Sequence, residues 1–295
     1  MPLVKRPDLV TTRQFLSVAL AAGSQLYRSI SLADQFETDA VQTKAPPKKK
    51  VPLYQRPEPN YPNHVPLHPV EKAALFVGSA AGAYLHPERN EFIVALGEST
   101  ALPYFLNQLK VQMLNDPVGR QILKERPNIT SDSLRLDELR KYPENSLARA
   151  YVSWLDMEGV SPDTREPVRF IDDEELAFIF QRYRQCHDFY HAITGLPIVR
   201  EGEIALKLFE FLNLKIPFAG MGALFAPIPI KKSQRSRLLN IYYPWALKNS
   251  ASCKPLINVY WENILDHDVD HLRAQLGIEK PPDMRKLRKA KKTSL

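Results

Sequence analysis

From Pro69 onward, apolar residues recur at three- and four-residue intervals, and Val, Ile and aromatic residues form no sustained period-two runs. The pattern predicts helices near 70–84, 90–115, 117–126, 145–158, 172–194, 198–213, 233–248 and 256–276, separated by Pro or Gly. In the first of these, Gly78, Ala81, Gly82 and Ala83 are small enough to let a neighbouring helix approach closely. No repeat of 30 to 45 residues is apparent. The expected fold class is all-α, a single irregular helical domain.

One pair of helices departs from an ordinary amphipathic pattern. Asp172, Asp173, Glu174 and Glu175 suit a helix start, where the helix dipole favours negative charge. Leu176, Phe180, Tyr183, His187, Tyr190, His191 and Thr194 then fall on one stripe, which puts both histidines on the apolar, inward face. Gly195-Leu196-Pro197 breaks the helix, and Val199, Glu203, Leu206 and Phe209 form the apolar stripe of the next one. His191 lies four residues before Gly195 and Glu203 six after Pro197, so at 1.5 Å per residue both sit roughly 6–9 Å from the bend of a helical hairpin. His187 is one turn further along, and Asp188 is offset by about 100° around the helix.

Two imidazoles one turn apart and a carboxylate from a neighbouring helix are the ligand types that a divalent metal such as Zn²⁺ accepts. Burying such groups without a cation is costly. Asp188 either completes the ligand set or orients a histidine from behind it. The bland alternative is a pair of core histidines hydrogen-bonded to Glu203 and Asp188. His267-Asp268-Val269-Asp270-His271 repeats the H-D-x-x-H spacing, but Asp266 and Asp270 make that face polar and Gly277, Pro281 and Pro282 follow, so a solvated helix end is expected there. His64, His68 and His86 lie beside or near prolines and are weaker candidates.

Composition narrows the function classes. The 295 residues are 44% hydrophobic, enough for a real core, which excludes a disordered or fibrous chain. Two distant cysteines, Cys186 and Cys253, leave no disulfide framework and no four-cysteine zinc site, and the compartment is read as reducing. The longest uncharged run, Ile216 to Ile230, has 15 residues and three prolines, short of the roughly 20 apolar residues of a membrane span. The net charge of +7 is carried by the ends: residues 1–50 contribute +4 and 281–295 contribute +5, leaving −2 for the rest. A nucleic-acid groove across the body is therefore not expected.

The first 33 residues hold four basic residues against Asp8 alone, with apolar residues suited to a helix, as in a mitochondrial transit segment. Eight prolines between Pro46 and Pro69 predict an extended linker or surface strap. The expected organisation is a transit segment at 1–45, a Pro-rich linker at 46–69, a helical metal-binding catalytic domain at 70–280 and a basic tail at 281–295. That tail either solubilises the chain or attracts anionic head groups.

The H-D-x-x-H-x11-E pattern of His187, Asp188, His191 and Glu203 resembles that of the coenzyme Q (ubiquinone) biosynthesis protein four family of mitochondria. The likeness covers most of residues 65–280, including the stretch around Arg149-Ala150-Tyr151 and an apolar Phe218 to Pro229 loop. The resemblance implies that all four motif residues are metal ligands, for Zn²⁺ or another divalent metal. It implies a C1 decarboxylase acting on a polyprenylated 4-hydroxy-3-methoxybenzoate, peripheral on the matrix side of the inner membrane. It also implies partnership with the other enzymes of the coenzyme Q biosynthetic complex, which the protein would help to organise. No separate catalytic residue is assigned. An oxidative variant, with oxygen replacing the carboxylate, would require a redox metal. The apolar run Phe218 to Phe225 either lines an entrance for the isoprenoid tail or packs between helices. A non-catalytic lipid-binding scaffold is the first alternative. An HD-type phosphohydrolase is the second, but it needs further His and Asp ligands that are not persuasively placed.

Overall fold

The computed structural model describes residues 56–86, 89–196 and 199–282. The expected transit segment, the first part of the expected linker and nearly all of the basic tail lie outside these residues. Among the described residues there are helices and no strands. Residues 56–68 form no helix and act as a strap. Val65 N–H donates to Arg169 O at 2.8 Å, Asn60 Nδ2 to Asp172 O at 2.6 Å and the Tyr61 hydroxyl to Ile171 O at 2.6 Å.

The first half holds α1 (Pro69–Leu85), α2 (Asn90–Thr100), α3 (Pro103–Leu114), α4 (Pro117–Glu125), the short α5 (Ser131–Leu134) and α6 (Leu136–Leu139), and α7 (Leu147–Glu158). Proline opens α1, α3 and α4, where its missing N–H costs nothing. The single helix expected over 90–115 is two, because Pro103 cannot donate to the carbonyl four residues back and so begins a new helix. At Gly82 an added Cβ would lie 2.5 Å from the Phe92 ring, so α1 packs on α2 through the close contact that the small residues allow.

The second half begins with α8 (Glu174–Thr194) and α9 (Arg200–Leu214). The Asp173 side chain accepts from Leu176 N–H at 2.9 Å and so caps α8, beside Glu174 and Glu175 in the first turn. Gly195, in the left-handed region at φ 67°, ends it. Then come α10 (Pro217–Phe225), α11 (Lys232–Arg237), a π-helical turn at Leu238–Tyr242, α12 (Tyr243–Ser252) and α13 (Val269–Leu276). The Phe218–Pro229 segment, expected as a loop, is thus largely helical. Pro217 sits at its first helical position, and Ala219, Gly220 and Ala223 turn into the core. Phe225 and Ile228 remain exposed. The long helix expected over 256–276 is also corrected: two 3₁₀ turns, Leu256–Asn258 and Trp261–Asn263, precede α13.

The core surrounds α8. This helix packs on α3 and α7, while α9 packs on α10 and α12. Tyr151 of α7 stacks on Phe189 of α8 with centroids 3.9 Å apart, and Phe189 stacks in turn on Trp261 at 5.4 Å. The fully buried Arg182 forms a two-pronged ion pair with Glu262. Arg273 of α13 donates to the carbonyls of Ile193 at 2.7 Å and Ala192 at 3.0 Å, satisfying the C-terminal end of α8.

Candidate metal centre

Helices α8 and α9 face each other through polar side chains. Descending α8 from His191 to His187 to Tyr183, the partners on α9 ascend from Glu203 to Glu210, which makes the pair an antiparallel hairpin. His191 Nε2 lies 2.8 Å from Glu203 Oε2, and His187 Nε2 lies 3.3 Å from Glu203 Oε1. The two imidazoles meet edge to face, 4.8 Å apart. One donor atom each from His187, His191 and Glu203 falls within 4.8 Å of the others, the one such group of three among the described residues.

Asp188 is not in that group. Its side chain is buried, and Oδ1 accepts from Arg165 at 2.6 Å while Oδ2 has no hydrogen-bond partner. The structure therefore brings three of the four motif residues together and ties the fourth to the segment after α7. The second H-D-x-x-H has another role. Asp268 caps α13 by accepting from His271 N–H at 2.8 Å, and His267 is exposed beside Asp266.

Residues outside the motif complete the surroundings. Glu210, fully buried, lies with Oε1 2.6 Å from His187 Nδ1, and its Oε2 accepts from Lys207 Nζ and the Tyr183 hydroxyl, each at 2.9 Å. Lys207 Nζ also stands 3.8 Å from Glu203 and over the rings of Tyr183 and Phe218. Trp154 of α7 stacks on His191 at 4.7 Å, and the buried His191 Nδ1 has no partner. Sequence reasoning missed Lys207 and Glu210. They follow Glu203 by four and seven residues, so the spacing rule that groups His187 with His191 would have placed them on the same face.

Electrostatics follow from this packing. Burial and Lys207 would each lower the pKa of His187, but Glu210 and Glu203 outweigh them and hold it up at about 9. Burial would raise Glu210, yet Lys207 and His187 pull it down to about 2. Glu203 is likewise driven well below the carboxylate range, against its burial, chiefly by His187. Burial dominates at His191 and lowers it. Glu203 still presents 46% of its side-chain surface, toward a cavity of about 250 Å³ lined also by Trp154, Glu158, His191, Val199 and Arg200. A depression of about 420 Å³ between the strap and Pro167–Arg169 is lined by none of these residues. Imidazole nitrogens and a carboxylate oxygen within reach of one another, with His191 and Glu203 at the opening, fit a divalent cation, whose charge would offset Glu203 and the buried Glu210.

Residues 61–282 match the family model described as coenzyme Q (ubiquinone) biosynthesis protein Coq4. The chain is 63% identical over 284 residues to "Ubiquinone biosynthesis protein COQ4, mitochondrial" of Komagataella phaffii, covering 94% of each chain. It is 58% identical to the protein of the same description from Scheffersomyces stipitis, covering 94% of this chain and 89% of that one. A crystal structure of a protein from Nostoc punctiforme PCC 73102 shares the fold with a TM-score of 0.56 at 18% identity, over 72% of this chain and all of that one. The chain belongs to the Coq4 family of coenzyme Q (ubiquinone) biosynthesis proteins.

Proposed function

We propose that the protein is a metal-dependent decarboxylase that removes the C1 carboxylate from a polyprenylated 4-hydroxy-3-methoxybenzoate during coenzyme Q biosynthesis. The observation that carries this reading is the His187, His191 and Glu203 donor group, of which His191 and Glu203 line a cavity beside Trp154 and Arg200. These three side chains would hold Zn²⁺ or a similar divalent metal. Asp188, the fourth residue of the pattern, is buried and paired with Arg165 outside this group, so the reading stands on the three donors. When bound, the metal supplies a Lewis acid that stabilises negative charge near the carboxylate.

The protein's own groups orient the substrate. The Trp154 indole is a flat wall for an aromatic ring, Arg200 offers a cation to the carboxylate, and exposed Val199 starts an apolar edge for the isoprenoid tail. As CO₂ leaves, the electron pair of the broken bond stays at C1 and a proton must be delivered there. No described helix is long and apolar enough to cross a membrane. In this reading the protein meets its lipid-dissolved substrate as a peripheral protein on the matrix side of the mitochondrial inner membrane, within a complex of coenzyme Q enzymes that it also helps to organise.

Elemental analysis and turnover of the prenylated benzoate test the reading together. Wild type should purify with close to one divalent metal and release CO₂, while His187→Ala and Glu203→Ala lose both metal and turnover. Equal metal content and activity in all three would remove the proposed site.

A further inference from the structure

Glu210 is a carboxylate with no route to solvent, and it stands two turns beyond Glu203 on the same face of α9. Burying such a group is costly unless its oxygens are satisfied, and a neutral side chain of similar size would fill the space at less cost. Both oxygens are satisfied by the walls of the candidate metal centre. Oε1 lies 2.6 Å from His187 Nδ1, and because an ionised carboxylate only accepts, Nδ1 is the donor; Lys207 Nζ, 3.3 Å from the same nitrogen, donates instead to Oε2, as does Tyr183. The aliphatic stem of Lys207 runs beside Gly222 of α10, and its ammonium stands over the rings of Tyr183 and Phe218.

This arrangement has a consequence for His187. An imidazole that donates from Nδ1 presents its lone pair at Nε2, the atom that faces Glu203 and His191. A carboxylate behind a ligating histidine fixes ring orientation and makes the ring a better donor. His191, by contrast, has no partner at Nδ1. We propose that Glu210, held by Lys207 and Tyr183, is a positioning residue that fixes His187 as an Nε2 metal ligand. The inference rests on the metal-site reading above and adds a specific role for residues outside the H-D-x-x-H-x11-E pattern.

The test uses the full chain with Zn²⁺ as the probe. Affinity is measured by competition with a chromophoric chelator, and the His187 tautomer of the zinc-loaded protein is read by two-bond ¹H–¹⁵N correlation. In wild type, His187 should carry its proton on Nδ1. Glu210→Ala should weaken zinc binding by about 10–100-fold and expose Nδ1–H to rapid exchange. Glu210→Gln, which keeps the volume but sets an amide against donors, should fall between. A folded Glu210→Ala protein with unchanged affinity and tautomer would overturn the inference. Should that variant not fold, Tyr183→Phe, which removes one donor to Glu210, should still weaken zinc binding measurably, by about two- to tenfold; unchanged affinity there has the same adverse meaning. Wild type that takes up no zinc, or His187→Ala that binds it as tightly, defeats the metal reading itself and is distinguishable from loss of the Glu210 role alone.

Discussion

Without a metal, His187 serves as a cation between two carboxylates, and the sign of its pKa shift makes this measurable. Its folded value of about 9 exceeds its ordinary 6.5, so the associated stability is complete below 6.5 and disappears as pH rises through about 9. Glu210 shifts the other way, from 4.5 to about 2, so its contribution is complete above 4.5 and disappears as pH falls toward about 2. His191, lowered by burial, costs stability as pH falls below its ordinary 6.5, so chelator-treated protein should melt at its highest temperature near pH 6.5 as far as this cluster is concerned. His187→Ala should flatten the alkaline limb of the melting profile. Zinc ligation requires the unprotonated Nε2, so the loaded wild type should also lose that limb. An alkaline limb unchanged by either treatment would assign it to other groups. At this scale the chain's pattern alone located His187, His191 and Glu203, because a fixed helical spacing and one Gly-Pro break suffice to bring them level. It did not locate the Arg165 contact to Asp188, since those residues are 23 positions apart and meet through a segment without a regular period.

At the scale of elements, α8 is held by different forces on its different faces. Stacked aromatics join it to α7, an ion pair joins it to the 3₁₀ segment at Trp261–Asn263, and the polar cluster joins it to α9. The Arg182–Glu262 pair gives a direct test. Glu262→Ala leaves a guanidinium buried without its counter-charge, which should cost about 3–5 kcal/mol, read as a lower urea midpoint at unchanged slope. A loss under about 1 kcal/mol would mean that Arg182 escapes to water or finds another acceptor. The same segment explains why the periodic pattern over 256–276 misleads. Leu256, Ile257 and Trp261 are buried as a helix would bury them, but Pro255 and the contacts of Trp261 and Glu262 with α8 favour short turns instead. In the Phe218 stretch the opposite error arises. Gly220 and Gly222 look flexible in sequence, whereas Gly220 packs so closely on Phe211 that an added Cβ would lie 2.7 Å from its ring, and the helix is stabilised by that contact.

For the whole molecule, the metal reading links ligand occupancy to folding. A cation bound by α8 and α9 exists as a site only when the hairpin is formed, so saturating zinc stabilises the native state. At a free concentration 1,000 times Kd the gain is about 4 kcal/mol. Differential scanning calorimetry should show a melting temperature that rises with zinc and falls on chelation, an effect absent in His187→Ala. A melting temperature indifferent to zinc would argue against a site spanning the two helices.

The amino-acid order by itself determined the helical class, the hairpin and the level of its three donors, because these follow from a 3.6-residue period and from Pro and Gly breaks within about 40 residues. Only the tertiary structure decided that Asp188 turns to Arg165, that Glu210 and Lys207 stand behind His187, and that Trp154 covers His191. The reason is physical. Local backbone geometry fixes which side of a helix a residue occupies, whereas its partner depends on which distant element satisfies a buried charge or fills an apolar gap.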